Sequence, residues 1–321
     1  MPELKELLST NFTIPKGVEV QINLSYHIFG KSLGTAPVVL VNHALTGNSE
    51  VAGENGWWKS VIGDDKPIDT NRFTVLAFNF PGNGFDQKPE NLIHNYKDFD
   101  LNAIGKILFE GLDSLGVQSV YCGIGGSVGG ALLWHMAAIR PHFFEKIIPV
   151  GCDFKATDWL RALCKLQDDL LQDEKRGIRL ARQHGMTFYR CPEGLNYKFQ
   201  NKKTEESDSF MVEDWLNYHG SALEKRFQLA SYKLMNHLLS TVDISTQEQT
   251  AVDIASLIES EIHIVSVDSD LLFTAYQSHL NYQELKRQKK EVFYYEIESI
   301  HGHDAILIEY PKLSTILERI L

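Results

Sequence analysis

Residues Tyr121 to Trp134 read YCGIGGSVGGALLW, and the reading of this stretch decides the fold. Val117 to Cys122 is a β-like run before it, and Ala131 to Ile139 has the character of a helix after it. Between them Ser127 stands at the apex of a turn flanked by Gly125, Gly126, Gly129 and Gly130. A turn this sharp needs positions without a Cβ, so that strand and helix can close up around one strained side chain. The spacing G-x-S-x-G between a strand and a helix marks a nucleophile elbow. Alone, the same string also fits an ordinary turn or a phosphate-binding loop; the flanking elements favour the nucleophile.

Outward from the elbow, buried strands and helices alternate. Val18 to Phe29 is rich in β-formers, and Pro37 to Asn42 (PVVLVN) is a continuous apolar run of the kind covered on both faces. Together they suggest an entry hairpin and a first central strand. Phe73 to Phe80 (FTVLAFNF) is another buried strand, closed by the turn residues Pro81 to Gly84. Phe99 to Leu115 has helical spacing, with Leu101, Ile104, Leu108 and Leu112 on one face. Lys146 to Gly151 adds a strand after the elbow helix. From about Phe154 to about Ser245 the sequence is long, charged and helix-forming, with no convincing strand. Strands return at Glu261 to Val267 and Glu291 to Ile297, with a helix from about Tyr276 to Lys289 between them and a last helix from Asp304 to Leu321. The expected fold is α/β: a mostly parallel, doubly wound sheet in two core parts, 1–153 and 246–321, interrupted by a helical lid insertion at 154–245.

Composition narrows the function. A chain of 321 residues that is 43% hydrophobic can bury a large core. Its net charge of -11, with no basic run, argues against nucleic-acid or anionic-membrane partners. Cys122, Cys152, Cys164 and Cys191 are scattered without metal-ligand or disulfide spacing and read as reduced packing thiols. The amino terminus has no signal-peptide core and no later run is long enough to span a bilayer, so a cytoplasmic, soluble protein is expected.

A serine hydroxyl is a poor nucleophile until a histidine takes its proton, and the imidazole needs a carboxylate to hold its tautomer. Asp270, just after a strand, and His303, in the loop after the last strand, follow Ser127 in the chain order of α/β-hydrolases. Two plainer readings stand beside this one: Asp270 as a helix N-cap, and either His301 or His303 as a loop residue with no task. His43-Ala44-Leu45-Thr46-Gly47 follows a buried strand at its carboxyl end, where open α/β sheets place ligands and where backbone N–H groups can face an oxyanion.

At these residues the sequence resembles the homoserine O-acetyltransferase family of the α/β-hydrolase superfamily. The matching blocks are HALTG (His43 to Gly47), GWW (Gly56 to Trp58), IDTNRF (Ile68 to Phe73), GGSVGG (Gly125 to Gly130), SDLLF (Ser269 to Phe273) and GHDAIL (Gly302 to Leu307). The likeness continues through FMVEDWLNYHG (Phe210 to Gly220) and RFQLASY (Arg226 to Tyr232), and so covers nearly the whole chain.

The resemblance implies that Ser127 accepts an acyl group, His303 is the base, Asp270 orients it, and the amides of Leu45 and Val128 form the oxyanion hole, leaving His301 and Asp268 without a role. It implies no bound cofactor and no metal, an acyl-coenzyme A, acetyl-coenzyme A first, as co-substrate, and a hydroxy amino acid as acceptor in methionine biosynthesis. Asp304 is then the residue for the acceptor's amino group; its other reading is a first-turn carboxylate on the final helix. The partners implied are small molecules; the lid's apolar positions Trp159, Leu163 and Leu166 either meet a second copy of the chain, as lids in the family do, or only cover the sheet.

Two departures from the family matter. Aligning on Trp159 places Asp168 where the family has the arginine that grips the acceptor's carboxylate, and Arg161, two turns earlier, is the expected substitute or else a solvated surface charge. The family's Gly-Cys-rich loop is replaced by Phe80 to Phe85, so the pocket wall differs there. Other readings of the same residues are a serine hydrolase, esterase or thioesterase, on the same triad, and a silent binding protein that keeps the fold.

Overall fold

The structure, a computed structural model, describes residues 3–13, 17, 19–204 and 208–321. Its centre is an eight-stranded sheet. In chain order the strands are β1 (Lys5–Thr13), β2 (Glu19–Gly30), β3 (Val38–Asn42), the short pair β4 (Ile62–Gly63) and β5 (Ile68–Asp69) outside the main sheet, then β6 (Thr74–Phe78), β7 (Val120–Gly126), β8 (Phe144–Val150), β9 (Glu261–Val267) and β10 (Val292–Ile297). The spatial order is β1-β2-β6-β3-β7-β8-β9-β10. β1 and β2 run antiparallel to their neighbours, and the pairs from β6 to β10 are parallel.

Period-two alternation explains how both faces are covered. In β3, Val39 and Val41 join one apolar cluster with Trp58, Ile306 and the last helix, α10 (Tyr310–Ile320). Val38 and Leu40 join the other, with the helices α1 (Leu101–Ser114) and α2 (Val128–Ile139). α1 shows why these segments are helical. Asp100 caps it by accepting from the Ala103 N–H at 2.7 Å, Leu101, Ile104, Leu108 and Leu112 are buried, and Gly116 leaves it at φ 73°.

The segment between β8 and β9 holds α3 (Asp158–Leu170), α4 (Gly177–Tyr189), α5 (Pro192–Phe199), α6 (Met211–Glu224), α7 (Leu229–Ser240) and the short α8 (Ala251–Ser256). α3 buries Leu160, Leu163 and Cys164 and leaves Trp159 and Leu166 half-exposed. α9 (Ala275–Gln288) lies between β9 and β10.

The structure differs from the sequence reading in three places. Val18, expected to open a strand, lies outside the described residues; β2 takes up that strand from Glu19, and its hairpin partner is β1, a segment with no clear alternation. β7 runs on through Gly126, because the elbow glycines are still extended before the chain turns at Ser127. The single helix expected from Asp304 to Leu321 is split into a 3-10 segment, Gly302–Leu307, and α10. Pro311 explains the split: it has no N–H to continue a helix and is suited to a first turn. Asp304 is therefore not in the first turn of the final helix.

The elbow glycines are required by close approach. A Cβ on Gly129 would lie 2.4 Å from the carbonyl oxygen of Asn42 in β3, and one on Gly125 would lie 2.4 Å from the carbonyl of Gly129. Both obstacles are backbone, which cannot step aside as a side chain can. Gly129→Ala is expected to destabilise the protein by about 1–3 kcal/mol or more, as overpacking in a closed core does, and the urea midpoint measures it. An unchanged midpoint would show that β3 and α2 are not held at this distance.

Candidate active site

Ser127 sits between β7 and α2 with φ 56° and ψ -129°, a conformation that L-residues with side chains rarely adopt. Its N–H donates to the carbonyl of Val150 at 2.8 Å, and its own carbonyl accepts from Gly130 and Ala131, which locks the strained turn at both ends. The turn presents Oγ at the carboxyl edge of the sheet, where His303 and Asp270 also arrive from the ends of β10 and β9.

His303 Nε2 is 2.9 Å from Ser127 Oγ, and its Nδ1 is 2.6 Å from Asp270 Oδ2. The other carboxylate oxygen, Oδ1, accepts from the N–H groups of Leu272 and Phe273 at 2.7 and 3.0 Å. An ionised carboxylate only accepts, so Nδ1 carries the imidazole proton and Nε2 is left to accept from the serine hydroxyl. All three side chains are buried. Burial opposes a charge on His303, but the adjacent Asp270 and, at longer range, Asp304 outweigh it, and the His303 pKa is raised above the ordinary histidine value.

The two N–H groups expected to face an oxyanion are available. Among the described residues, neither Leu45 N–H nor Val128 N–H donates to a protein acceptor, and both residues are buried. Buried N–H groups are rarely left unpaired, so such a pair beside a nucleophile is a place for a ligand oxygen.

A cavity of about 60 Å³ lies over Ser127. Its wall is made by Leu45 and Thr46, by Arg182 and Tyr189 of α4, by Leu239 of α7 and by Asp304. Burial pushes the Asp304 carboxyl above the ordinary carboxylate value, while Arg182, His303 and Arg190 favour its anion. Arg190 is 3.8 Å from Asp304 Oδ2 and also donates to His301 Nδ1 at 3.1 Å. The guanidinium of Arg182 sits 5.5 Å from the centre of the Tyr189 ring.

The sequence-based candidates therefore divide. Ser127, Asp270 and His303 come together, with Leu45, Val128 and Asp304 beside them. Arg161 does not line this cavity: its guanidinium lies 3.5 Å from Asp158 and 4.0 Å from Asp243, and it shares a separate surface depression with Asp168. The cation that does line it is Arg182, which the sequence reading missed because it sought the arginine on the first inserted helix. The missed signal was the run Arg179, Arg182 and Tyr189 along α4, which shares a helical face. Of the tryptophan pair, Trp58 is fully buried, donating to the carbonyl of Ile306 at 3.1 Å, and Trp57 is half-buried against it. His301 and Asp268 are occupied elsewhere, with Arg190 and with the Ser299 N–H. Among the described residues no group of three or more His, Cys, Asp and Glu side chains is disposed to hold a metal, and no helix is long and apolar enough to cross a membrane.

Comparison with known proteins agrees with the fold. Residues 37–298 match the model of the alpha/beta hydrolase fold family. The chain is 30% identical to the homoserine O-acetyltransferase of Cyclobacterium marinum over 303 residues, covering 88% of this chain and 84% of that protein. Among solved structures, the homoserine O-acetyltransferase of Bacillus anthracis superposes with a TM-score of 0.89 at 18% identity, covering 99% of this chain and 96% of that one. Esterase E22 superposes with a TM-score of 0.87, also at 18% identity and with 99% of each chain covered. At that identity the two structures speak for the fold alone, which an acyltransferase and an esterase share. The matched family model and the relative at 30% identity go further: the chain belongs to the homoserine O-acetyltransferase family of enzymes, within the alpha/beta hydrolase fold.

Proposed function

We propose that the protein is an acyl-coenzyme A-dependent O-acyltransferase that acylates homoserine through a covalent enzyme intermediate. The observation that carries this reading is the pairing of Asp304 and Arg182 in the cavity over Ser127. An amino acid offers one cation and one anion, and a site with the opposite charges discriminates for it because an unpaired buried charge costs several kcal/mol. A simple ester presents no such pair.

In this mechanism Ser127 Oγ attacks the thioester carbonyl as His303 Nε2 takes its proton. The carbonyl oxygen, now negative, lies between the Leu45 and Val128 N–H groups. Collapse breaks the carbon–sulfur bond, and the leaving thiolate receives the proton from His303. The acceptor hydroxyl then gives its proton to His303 and attacks the acyl-enzyme, and collapse returns the proton to Ser127 as the ester leaves. Asp270 stabilises the imidazolium in both halves. Arg182 takes the carboxylate of homoserine and Asp304 its ammonium, which brings the hydroxyl to the base.

Transfer competes with hydrolysis, so water has to be kept from the acyl-enzyme. We assign that task to residues 154–245 as a lid, set between core parts 1–153 and 246–321. Arg182, Tyr189 and Leu239, all from this segment, line the cavity. An acetyl group and a cytoplasmic location complete the reading.

The first test is thiol release from acetyl-coenzyme A with and without homoserine. Release that depends on homoserine and yields its ester supports transfer; equal release of thiol and free acid in both cases replaces the reading with a hydrolase. Ser127→Ala is expected to lower kcat by about 10⁴ to 10⁶, the usual cost of removing a triad nucleophile, and activity within tenfold of wild type would exclude Ser127. Arg182→Ala is expected to raise the KM for homoserine while acylation by the donor stays nearly unchanged, whereas Arg161→Ala changes neither.

The pH dependence has a definite sign. The base works neutral, so acylation is lost as pH falls through the His303 pKa, which Asp270 and Asp304 hold above the ordinary value. Asp304→Asn removes one of those anions, so the acid limb of the acylation rate should move to lower pH. A limb that stays in place would show that His303 does not feel Asp304.

A further inference from the structure

The loop that carries the Leu45 N–H is fixed by a side chain outside the triad. His43 is completely buried at the end of β3, and three contacts determine its state. The Phe80 N–H can only donate, and it points at His43 Nε2 at 3.0 Å; the Asn83 amide nitrogen is 3.3 Å from the same atom. Nε2 is therefore the acceptor, and Nδ1 carries the proton and donates to the carbonyl of Ala44 at 2.8 Å. Burial pushes the His43 pKa down to about 4, so this neutral form persists across the working range.

The Ala44 carbonyl matters because it belongs to the same peptide group as the Leu45 N–H. In a planar trans peptide the C=O and N–H point in opposite directions. The oxygen is held from one side by His43 Nδ1 and by the Gly47 N–H at 2.9 Å, which leaves the Leu45 N–H aimed the other way, unpartnered, from a residue that lines the cavity with Ser127. The far end of the loop is tied into the same buried network. Asn79 Oδ1 accepts from the Ser49 N–H at 2.8 Å and from the Asn83 amide at 3.1 Å.

We infer that His43 is a positioning residue for the oxyanion hole, held as its Nδ1–H tautomer by Phe80 and Asn83, so that the Ala44–Leu45 peptide is oriented before substrate arrives. The inference rests on Ser127 as nucleophile and Leu45 as oxyanion donor. Asn83 lies in the turn after Phe80, so the support of the oxyanion loop comes from residues 37 to 40 positions further along the chain.

The test is the rate of acylation of Ser127 by p-nitrophenyl acetate, with a trifluoromethyl ketone as a probe of the tetrahedral adduct. His43→Phe keeps an aromatic ring and removes all three polar contacts. It should lower the acylation rate constant about 10- to 100-fold, short of the ~10²–10³ that loss of a whole donor costs. Trifluoromethyl ketone affinity should fall by a similar factor, while the KM for the ester stays within about twofold, since only the transition state is affected. A folded His43→Phe protein that acylates within about threefold of wild type, or that loses KM rather than rate, overturns the inference. Should that variant fail to fold, Asn83→Ala decides, since it removes one of the two groups that hold Nε2 and that group's tie to Asn79: a several-fold fall in the same rate supports positioning, and an unchanged rate overturns it. Ser127→Ala, run in parallel, separates this outcome from the larger one, because acylation that survives it removes Ser127 as the nucleophile altogether.

Discussion

The structure depends on one hydrogen bond, 2.9 Å long, between His303 Nε2 and Ser127 Oγ. It joins residues 176 positions apart, and the parallel sheet is what makes the meeting routine. β7, β9 and β10 point the same way, so Ser127, Asp270 and His303 leave their strands at one edge. Each then needs a local device. Ser127 needs a strained φ and glycines that let β3, β7 and α2 crowd together. Asp270 needs two backbone donors to aim its carboxylate. His303 needs Gly302, whose φ of 63° turns the chain and whose missing Cβ would meet the backbone of 190–191 at 2.8 to 2.9 Å.

That last contact links the sheet to the inserted helices. The end of α4 presses on the loop of His303, and the same helix carries Arg182 and Tyr189 into the cavity. The polar requirements of the proposed reaction are thereby divided: the sheet edge supplies nucleophile, base and oxyanion donors, and the insertion supplies one of the two charges that select an amino acid. A family that includes acyltransferases on a fold shared with esterases fits this division, since the first set of groups serves both chemistries and the second distinguishes the acceptor.

Much of this was legible in the sequence, and the exceptions have physical causes. Buried parallel strands such as Val38–Asn42 and Thr74–Phe78 are nearly continuous apolar runs, so their positions could be read to within a residue or two. The elbow, Asp270 and His303 were legible because strand ends and glycines restrict where such chemistry can stand. The arginine that lines the cavity, Arg182, was not. Helical periodicity says which residues share a face but not which helix between β8 and β9 overhangs the sheet, so only tertiary packing shows that Arg182 on α4, and not Arg161 on α3, reaches the cavity. β1 was missed for a related reason: it is an edge strand whose pattern is set by one neighbour only. The neutral state of His43 was also out of reach, because it is fixed by Phe80 and Asn83, nearly forty residues away in sequence.

In the proposed reaction the acyl group rests on Ser127 and leaves it for a hydroxyl held between Arg182 and Asp304. Rapid quenching of the enzyme with acetyl-coenzyme A alone, followed by mass spectrometry of the peptide containing Ser127, tests it most directly. Acetylated Ser127 should persist without acceptor and disappear on addition of homoserine with equal formation of its acetyl ester. An unmodified Ser127, or an adduct that decays to free acetate at the same rate with and without homoserine, would contradict that reaction.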